Sequence, residues 1–246
     1  MKISVELIPR DIEQLDHELQ LIQSSFSEVN TINIPDLLRF SIRSWEGAVR
    51  TLPYYENCIP HIRAIDFNLK ENLGLLDYLN ANNITQVLAV TGDLPQDMNR
   101  NVYPTTSVDF IRIIKQECPH IKVYSAIDPY RNNFKEEHEY IQRKLDAGAD
   151  GFFTQPFFDL RLMEVYYELL GNEDVFWGVS PVISQKSRNY WETKNHAIFP
   201  KRFEPTLEWN IDFAREVLNF SRATGTNMYF MPIRVNLEAY LNGVFK

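Results

Sequence analysis

Eight short apolar runs alternate along the 246-residue chain with segments whose apolar residues recur every three or four positions. The runs are typical of buried strands, and the recurring spacing is typical of amphipathic helices. The predicted strands span residues 3–8, 29–34, 59–65, 86–91, 122–126, 151–154, 175–179 and 228–231. Strands that alternate with helices at this count and length predict an α/β fold, a single (β/α)8 TIM barrel over residues 1–246.

The predicted helices lie between these strands, at residues 11–25, 69–82, 107–117, 133–147, 159–170, 184–193, 207–224 and 237–244. Gly148 and Gly171 follow two of them directly, as expected of residues that end helices. A doubly wound open sheet is the alternative architecture. It is less favoured, because the nine glycines form neither a dinucleotide-binding nor a phosphate-loop motif.

The charge, apolar runs and cysteines of the chain argue against several classes of function. A net charge of −8 argues against a nucleic-acid partner, which needs an excess of lysine and arginine. No apolar run approaches the length of a membrane span, and the N-terminus carries no signal-like region. Cys58 and Cys118 lack the spacing of a zinc site and suit a reducing compartment. We therefore expect a soluble, cytoplasmic protein without membrane, nucleic-acid or metal partners, and the sequence leaves homo-oligomer formation open.

Polar residues stand at the carboxyl ends of at least six predicted strands, where a barrel of this type holds its ligands. Four of them are expected to cap helices: Asp66, Asp128, Asp159 and Ser180. Gln155 is a weak cap and precedes a proline, and Glu6 lies inside the first strand, so these two are better site candidates. Asp93 follows a glycine in a tight turn and suits either interpretation.

Other candidates have plain structural explanations. A lone strand histidine such as His61 is more often a hydrogen-bonded structural residue than a catalyst. Arg143 and Lys144 lie at the end of a predicted helix, where cations face solvent and favour the helix dipole. An anion site is the functional alternative for that pair. No histidine pair of a zinc helix and no nucleophilic serine motif is present.

Five segments, in this order and at barrel-compatible spacing, resemble the methylenetetrahydrofolate reductase family. They are "SVELIPR", "PHIRAID", "VLAVTGDLPQD", "QRKLDAGADGFFTQPFFD" and "FWGVSPVIS". The run from Arg143 to Asp159 is the most specific. The resemblance implies a TIM barrel that holds FAD and reduces 5,10-methylenetetrahydrofolate to 5-methyltetrahydrofolate with NADH or NADPH, in the supply of methyl groups for methionine.

The resemblance also implies roles for individual residues. Glu6 matches the glutamate expected to protonate folate N10, a role that needs a raised pKa. Asp93 matches an aspartate near the flavin and pterin rings, Gln155 a pterin contact, and Arg234 a late arginine near the folate. The remaining matches are on the flavin side: His61, Thr91, Gly92, Asp93, Arg143 and Lys144.

The chain departs from the family pattern in three places. Thr91 stands where family members usually carry arginine, so one cation on the flavin side is missing. The segment that normally wraps the flavin after the fifth strand is replaced by residues 127–137, and the segment after the second strand also differs. The chain therefore follows the family pattern more closely at the folate-side positions than at the flavin-side positions.

Three hypotheses follow from this pattern. The first and favoured one is a flavin-dependent methylenetetrahydrofolate reductase. The second is a flavin-free relative that reduces folate directly from a nicotinamide cofactor or transfers a methyl group. The third is a non-catalytic folate-binding or regulatory barrel inside a larger assembly, with surface aromatic residues contacting a partner.

Overall fold

The computed structural model of the protein describes residues 1–95 and 100–246. Eight parallel strands close into a barrel in the order in which they occur along the chain. The strands are β1 (Ile3–Glu6), β2 (Thr31–Ile34), β3 (Asn57–Arg63), β4 (Gln86–Val90), β5 (Lys122–Ile127), β6 (Gly151–Thr154), β7 (Val175–Val179) and β8 (Asn227–Phe230). The ring closes where Ser4 of β1 pairs with Tyr229 of β8. The predicted (β/α)8 barrel is confirmed.

Helices surround the strands and bury their apolar stripes against them. They are α1 (Ile12–Ser25), α2 (Ser44–Thr51), α3 (Gly74–Ala81), α4 (Ser107–Glu117), α5 (Phe134–Asp146), α6 (Leu160–Leu170), α7 (Gln185–Lys194), α8 (Leu207–Thr224) and α9 (Leu237–Phe245), with a 3-10 turn at Ala64–Asp66. Several begin at a side chain that accepts a free backbone N–H, as Asp11 does for α1 and Thr106 for α4. Such caps fix where each helix leaves the strand before it.

The structure differs from the predicted elements in several places, among them β2, which begins at Thr31 rather than at residue 29, and β3, which spans Asn57–Arg63 rather than residues 59–65. Helix α2 was not predicted, although it supplies the crossover between β2 and β3. Helix α3 begins at Gly74 rather than at residue 69, and β1 ends at Glu6 rather than at residue 8. Glu6 therefore occupies the last position of the first strand, at the carboxyl end of the barrel.

Of the four predicted caps, only Asp159 is confirmed: it accepts the Arg161 N–H at the start of α6. Asp66 lies inside the 3-10 turn, and Asp128 accepts the Tyr130 N–H in a turn before α5. The Ser180 hydroxyl donates to the Met231 carbonyl and so joins the ends of β7 and β8. Three of these polar residues thus organise the rim of the barrel instead of starting helices.

Aromatic rings fill the middle of the barrel. Phe153 and Phe176 stack with centroids 4.0 Å apart, and Tyr124 and Tyr229 meet Phe153 edge-on at 5.3 and 5.1 Å. We call these four residues the aromatic floor. Because interiors of this kind pack as densely as organic crystals, the floor fills the barrel axis, and the mouth of the barrel lies above it at the carboxyl ends of the strands.

A polar cluster lies at the amino-terminal side of the floor. Lys2 Nζ donates to the Tyr124 hydroxyl at 3.0 Å, and Asn227 donates to Asp174. The Lys2 backbone N–H in turn donates to the Asn227 side chain at 2.7 Å. These bonds tie β1 to β8 at the point where the barrel closes. In the part of the chain that the structure describes, no helix combines the length and apolarity that crossing a membrane requires.

Candidate functional site

A cavity of about 510 Å³ opens at the carboxyl ends of β3 to β6, and we call it the mouth cavity. Six of the residues predicted from the sequence line it: His61, Thr91, Gly92, Asp93, Lys144 and Gln155. Its wall also contains charged residues of both signs that the sequence did not single out, among them Arg63 and Glu137. Most of the residues that resemble a flavin site are thus brought together.

Two predicted residues lie elsewhere. Glu6 and Arg234 line a separate pocket of about 70 Å³ beside the ends of β1 and β8, which we call the acid pocket. The site residues predicted to share one mouth thus line two neighbouring spaces at the carboxyl ends of the strands. Tyr229 and His61, whose rings meet edge-on at 6.5 Å, connect the residues of the two spaces.

Glu6 points into the barrel at the end of β1. Its carboxylate accepts a hydrogen bond from the Tyr229 hydroxyl. Burial disfavours the charged form and raises the pKa of Glu6 from 4.5 to about 7, although the Tyr229 bond opposes the shift. A carboxyl group with such a pKa is protonated in much of the population near neutral pH, as a general acid must be.

His61 lies between the first strands and the mouth cavity. Its Nε2 is 3.1 Å from the side-chain amide of Asn33, whose other end meets the Ser4 hydroxyl at 2.5 Å. Burial lowers the pKa of His61 to about 4, against the attraction of Asp36. The imidazole is therefore neutral at physiological pH.

Lys144 is the buried cation of the mouth cavity, 3% exposed. Its Nζ donates to the Ala126 carbonyl at 2.5 Å and lies 3.9 Å from the centre of the Tyr140 ring. Burial lowers the pKa of Lys144 from 10.5 to about 8, although the charge of Glu137 opposes this. Among the described residues no carboxylate comes within 4.0 Å of Nζ. A buried cation without such a partner favours an anionic ligand.

Arg143 does not accompany Lys144 into the cavity. It is exposed on α5, with its guanidinium 5.0 Å from the centre of the Tyr140 ring. Successive helix positions point about 100° apart, so neighbours in sequence do not share a face. The solvated-face interpretation is therefore correct for Arg143, and it fails for Lys144.

The turn after β4 is held by an arginine that the sequence did not single out. Arg63 donates to the Asp93 carbonyl at 2.6 Å and to Asp66 at 3.2 Å. Its guanidinium carbon lies 3.2 Å from the position that a Cβ on Gly92 would occupy. Gly92 has a φ of 91°, which also favours glycine. Arg63 thus places a cation at the turn where Thr91 provides none.

An ion network continues from Arg63 along the rim. Arg43 binds both Asp36, at 2.6 and 2.9 Å, and Asp66, at 2.9 Å. Asp36 is buried and lines the mouth cavity. Since Arg43 and Asp36 belong to the segment that departs from the family pattern after β2, this segment closes one side of the cavity with paired charges.

The connection between β7 and α8 forms the opposite wall. Lys194, Asn195 and His196 at the end of α7 line the mouth cavity. His196 has a φ of 55°, and the next N–H, that of Ala197, bonds back to the Trp191 carbonyl at 3.1 Å. Glycine or asparagine is preferred in this helix-ending geometry, so a histidine there is strained.

The sequence reasoning missed Tyr229, Arg63 and His196. Tyr229 on β8 alternates with Met231, the residue just after that strand, and Arg63 alternates with His61 on β3, so strand periodicity carried a signal for both. No comparable signal exists for His196, because its position depends on how the loop folds over the rim. The motif that ends at "LPQD" extends into Gln96 and Asp97, which lie outside the described residues.

The fold and these contacts define a (β/α)8 barrel whose polar residues meet at the strand carboxyl ends around a ligand-sized cavity. The sequence model of the family described as methylenetetrahydrofolate reductase matches residues 54–226. This is well over half of the chain, and the chain belongs to the methylenetetrahydrofolate reductase family.

Individual relatives are distant. A probable NADPH-dependent methylenetetrahydrofolate reductase of Caenorhabditis elegans is 25% identical over 52% of this chain and 21% of that protein. The 5,10-methylenetetrahydrofolate reductase of Buchnera aphidicola is 23% identical over 58% of this chain and 50% of that protein. The matched part thus spans half or less of the length of these two relatives.

A solved structure covers nearly the whole chain. It is an uncharacterised protein from Clostridium thermocellum that binds two copies of 5-methyl-5,6,7,8-tetrahydrofolic acid. The TM-score is 0.65 at 13% sequence identity, covering 99% of this chain and 93% of that one. At this identity the likeness establishes a common fold.

Proposed function

We propose that the protein reduces 5,10-methylenetetrahydrofolate to 5-methyltetrahydrofolate with electrons from NADH or NADPH, through FAD bound at the mouth cavity. In the cytoplasm this reaction would supply methyl groups for methionine. Family membership supports the proposal, and one observation carries it: Glu6 ends β1 inside the barrel with its pKa raised to about 7. No other acid near the acid pocket combines that position with contact to a buried tyrosine, among the residues the structure describes.

The reaction requires a proton donor at one nitrogen of the folate. Transfer of the Glu6 proton to N10 breaks the bond between N10 and the methylene carbon, and the resulting iminium carbon accepts a hydride. An acid with a pKa near 7 holds its proton until a basic nitrogen approaches and still releases it readily. Tyr229 keeps the carboxyl group oriented and then stabilises the carboxylate that remains, because its hydroxyl donates to Oε2.

The residues of the mouth cavity fit the anionic part of a dinucleotide. Lys144 offers a buried cation without a close carboxylate, and Arg131 lines the same cavity. Arg63 adds a guanidinium at the turn after β4. FAD, when bound there, would supply the hydride. Lys144 and Arg131 would hold its phosphates, and His61 and Gln155 would face its ring system.

The test separates the two half-reactions. The purified protein should show flavin absorption, and the E6Q variant should keep reduction of the flavin by NADH or NADPH. Reduction of methylenetetrahydrofolate should fall about 10²–10⁴-fold, the usual contribution of a general acid. E28Q removes an exposed carboxylate at the opposite end of the barrel and should leave both half-reactions unchanged. Equal folate reduction by E6Q and the wild type would refute the role of Glu6.

A flavin-independent reaction is the second candidate. Thr91 replaces the usual arginine, and Arg143 faces solvent instead of the cavity, so two cations expected for flavin are absent from its wall. Fewer cations for the flavin phosphates would be needed if a folate-binding barrel took hydride directly from a nicotinamide or transferred a methyl group. Deuterium passing from labelled NADPH to the folate methyl group without flavin would establish the direct reductase, whereas strict dependence on FAD would exclude it.

A further inference from the structure

Three polar side chains form a hydrogen-bonded row across the first three strands, inside the barrel. Ser4 of β1 meets the Asn33 side chain of β2 at 2.5 Å, and Asn33 meets His61 Nε2 of β3 at 3.1 Å. Ser4 and Asn33 are completely buried. The row leads from the closed interior to the wall of the mouth cavity. Ser4 and Asn33 have no role in the reaction proposed above.

The two contacts of the Asn33 amide involve different atoms: Oδ1 meets the Ser4 hydroxyl and Nδ2 meets His61. A carbonyl oxygen only accepts, and a hydroxyl can donate. The Ser4 hydroxyl therefore donates to Asn33 Oδ1, which leaves Nδ2 facing His61. An amide nitrogen carries hydrogens and accepts nothing, so His61 Nε2 must be the acceptor.

This fixes the proton of the neutral imidazole on the other ring nitrogen. When Nε2 accepts, a neutral histidine carries its hydrogen on Nδ1. His61 lines the mouth cavity, and within residues 1–95 and 100–246 no protein acceptor lies within hydrogen-bond distance of Nδ1. Nδ1 is also not among the fully buried polar atoms that lack a partner. Its hydrogen is therefore free for a ligand.

We propose that His61 offers an uncharged Nδ1–H donor to a ring acceptor of the ligand in the mouth cavity, with Ser4 and Asn33 as the residues that set its tautomer. The partner is a carbonyl oxygen or an unprotonated ring nitrogen, which flavin and pterin rings both contain. A neutral donor suits a neutral acceptor in a desolvated wall, where an imidazolium would need a counter-charge. The choice of ligand rests on the proposed function, but the tautomer does not.

The tautomer is measured on the wild-type protein without ligand, by NMR of ¹⁵N-histidine-labelled protein. The His61 resonances are assigned by their loss in H61Q, and two-bond couplings then show which nitrogen carries the hydrogen. We expect protonated Nδ1 and unprotonated Nε2. A spectrum with the hydrogen on Nε2 would overturn the inference, and this experiment needs no folded variant of Asn33.

The N33D substitution should reverse the direction of the hydrogen bond between residue 33 and His61 while hardly changing the shape of the side chain. A carboxylate only accepts, so in a neutral ring Nε2 should carry the hydrogen and Nδ1 should lose its role as a donor. Because a carboxylate beside the ring also favours the imidazolium, which keeps a hydrogen on both nitrogens, the affinities are compared at a pH at which the ¹⁵N spectrum shows a neutral ring. Affinity for the ring that His61 contacts should then fall about tenfold, the effect of one lost hydrogen bond. N30D makes the same substitution at an exposed position just before β2 and should change neither the His61 tautomer nor the affinity.

Two titrations distinguish the ligands, one of FAD and one of 5-methyltetrahydrofolate. Weaker binding of FAD alone places the contact on the flavin, and weaker binding of the folate alone places it on the pterin; either result supports the inference. Unchanged affinity for both, in a variant whose tautomer has switched, would overturn the donor role. If the wild type binds neither molecule, the proposed function fails together with the ligand contact, while the NMR spectrum still decides the tautomer.

Discussion

Replacing Glu6 by glutamine should stabilise the folded protein at pH 8 and leave its stability nearly unchanged at pH 4. The reason is the difference in pKa between the folded chain, about 7, and the ordinary value of 4.5. Below pH 4.5 the group is protonated in both states and costs nothing. As the pH rises from 4.5 to 7, the unfolded chain releases this proton first, so the free energy of unfolding falls.

The size of the effect follows from that difference. One pKa unit corresponds to 1.36 kcal/mol, so a shift from 4.5 to about 7 makes the ionised, folded protein less stable by about 3 kcal/mol above pH 7. E6Q is neutral at every pH and escapes this cost. Its amide oxygen still accepts the Tyr229 hydroxyl, and any strain from the amide hydrogens acts equally at both pH values.

Urea unfolding of both proteins at pH 4 and pH 8 gives the measurement. We expect the difference in unfolding free energy between E6Q and the wild type to be about 3 kcal/mol larger at pH 8 than at pH 4. E28Q controls for the general loss of one negative charge and should shift stability by less than about 0.5 kcal/mol. A wild-type to E6Q difference that does not change with pH would show that Glu6 ionises normally, and the argument for a general acid would fail.

Three further perturbations test other parts of the structure. H196G should raise the unfolding free energy by about 1 kcal/mol and the melting temperature by roughly 2–4 °C, because a φ of 55° suits glycine; a melting curve in which H196A gains as much would contradict this. Affinity for inorganic pyrophosphate, measured by calorimetry, should fall as the pH rises through about 8, because Lys144 loses its charge there. K144M should bind pyrophosphate at least about tenfold more weakly at pH 7, and its affinity should not fall in this way above pH 8. G178A should lower the free energy of unfolding by about 1–3 kcal/mol, because its Cβ would lie 2.4 Å from the Thr154 carbonyl. G74A places its Cβ in open space and should raise that free energy by up to about 1 kcal/mol. Equal effects of the two substitutions in a denaturation experiment would refute the packing argument.

The sequence predicted the elements of the barrel well because strand and helix periodicities are local. Helices α4 and α8 begin and end at the predicted residues. Helix α2 escaped prediction because it is only eight residues long and contains a glycine in its interior. Its position depends instead on packing that the sequence does not display: a Cβ on Gly47 would lie 3.0 Å from Ile34 and 3.3 Å from Pro9.

The site was less predictable for a related reason. Strand ends predicted that Asp93 and Gln155 reach the mouth, and the family resemblance added His61; all three line one cavity. Whether they share it with Glu6 depends on the bulk of the side chains between them. Tyr229 lies between these groups; strand periodicity indicates that it faces inward, but only its contact with Glu6 shows its role.

The aromatic floor limits the route by which a ligand can enter and leave the barrel. Stacked rings block the axis of the barrel, so a molecule in the mouth cavity has no rear exit and must leave by the side from which it arrived. A ligand then passes the loops around the entrance, among them the connection that carries His196. Substitutions in these loops, rather than in the strands, are therefore expected to change the rate of exchange.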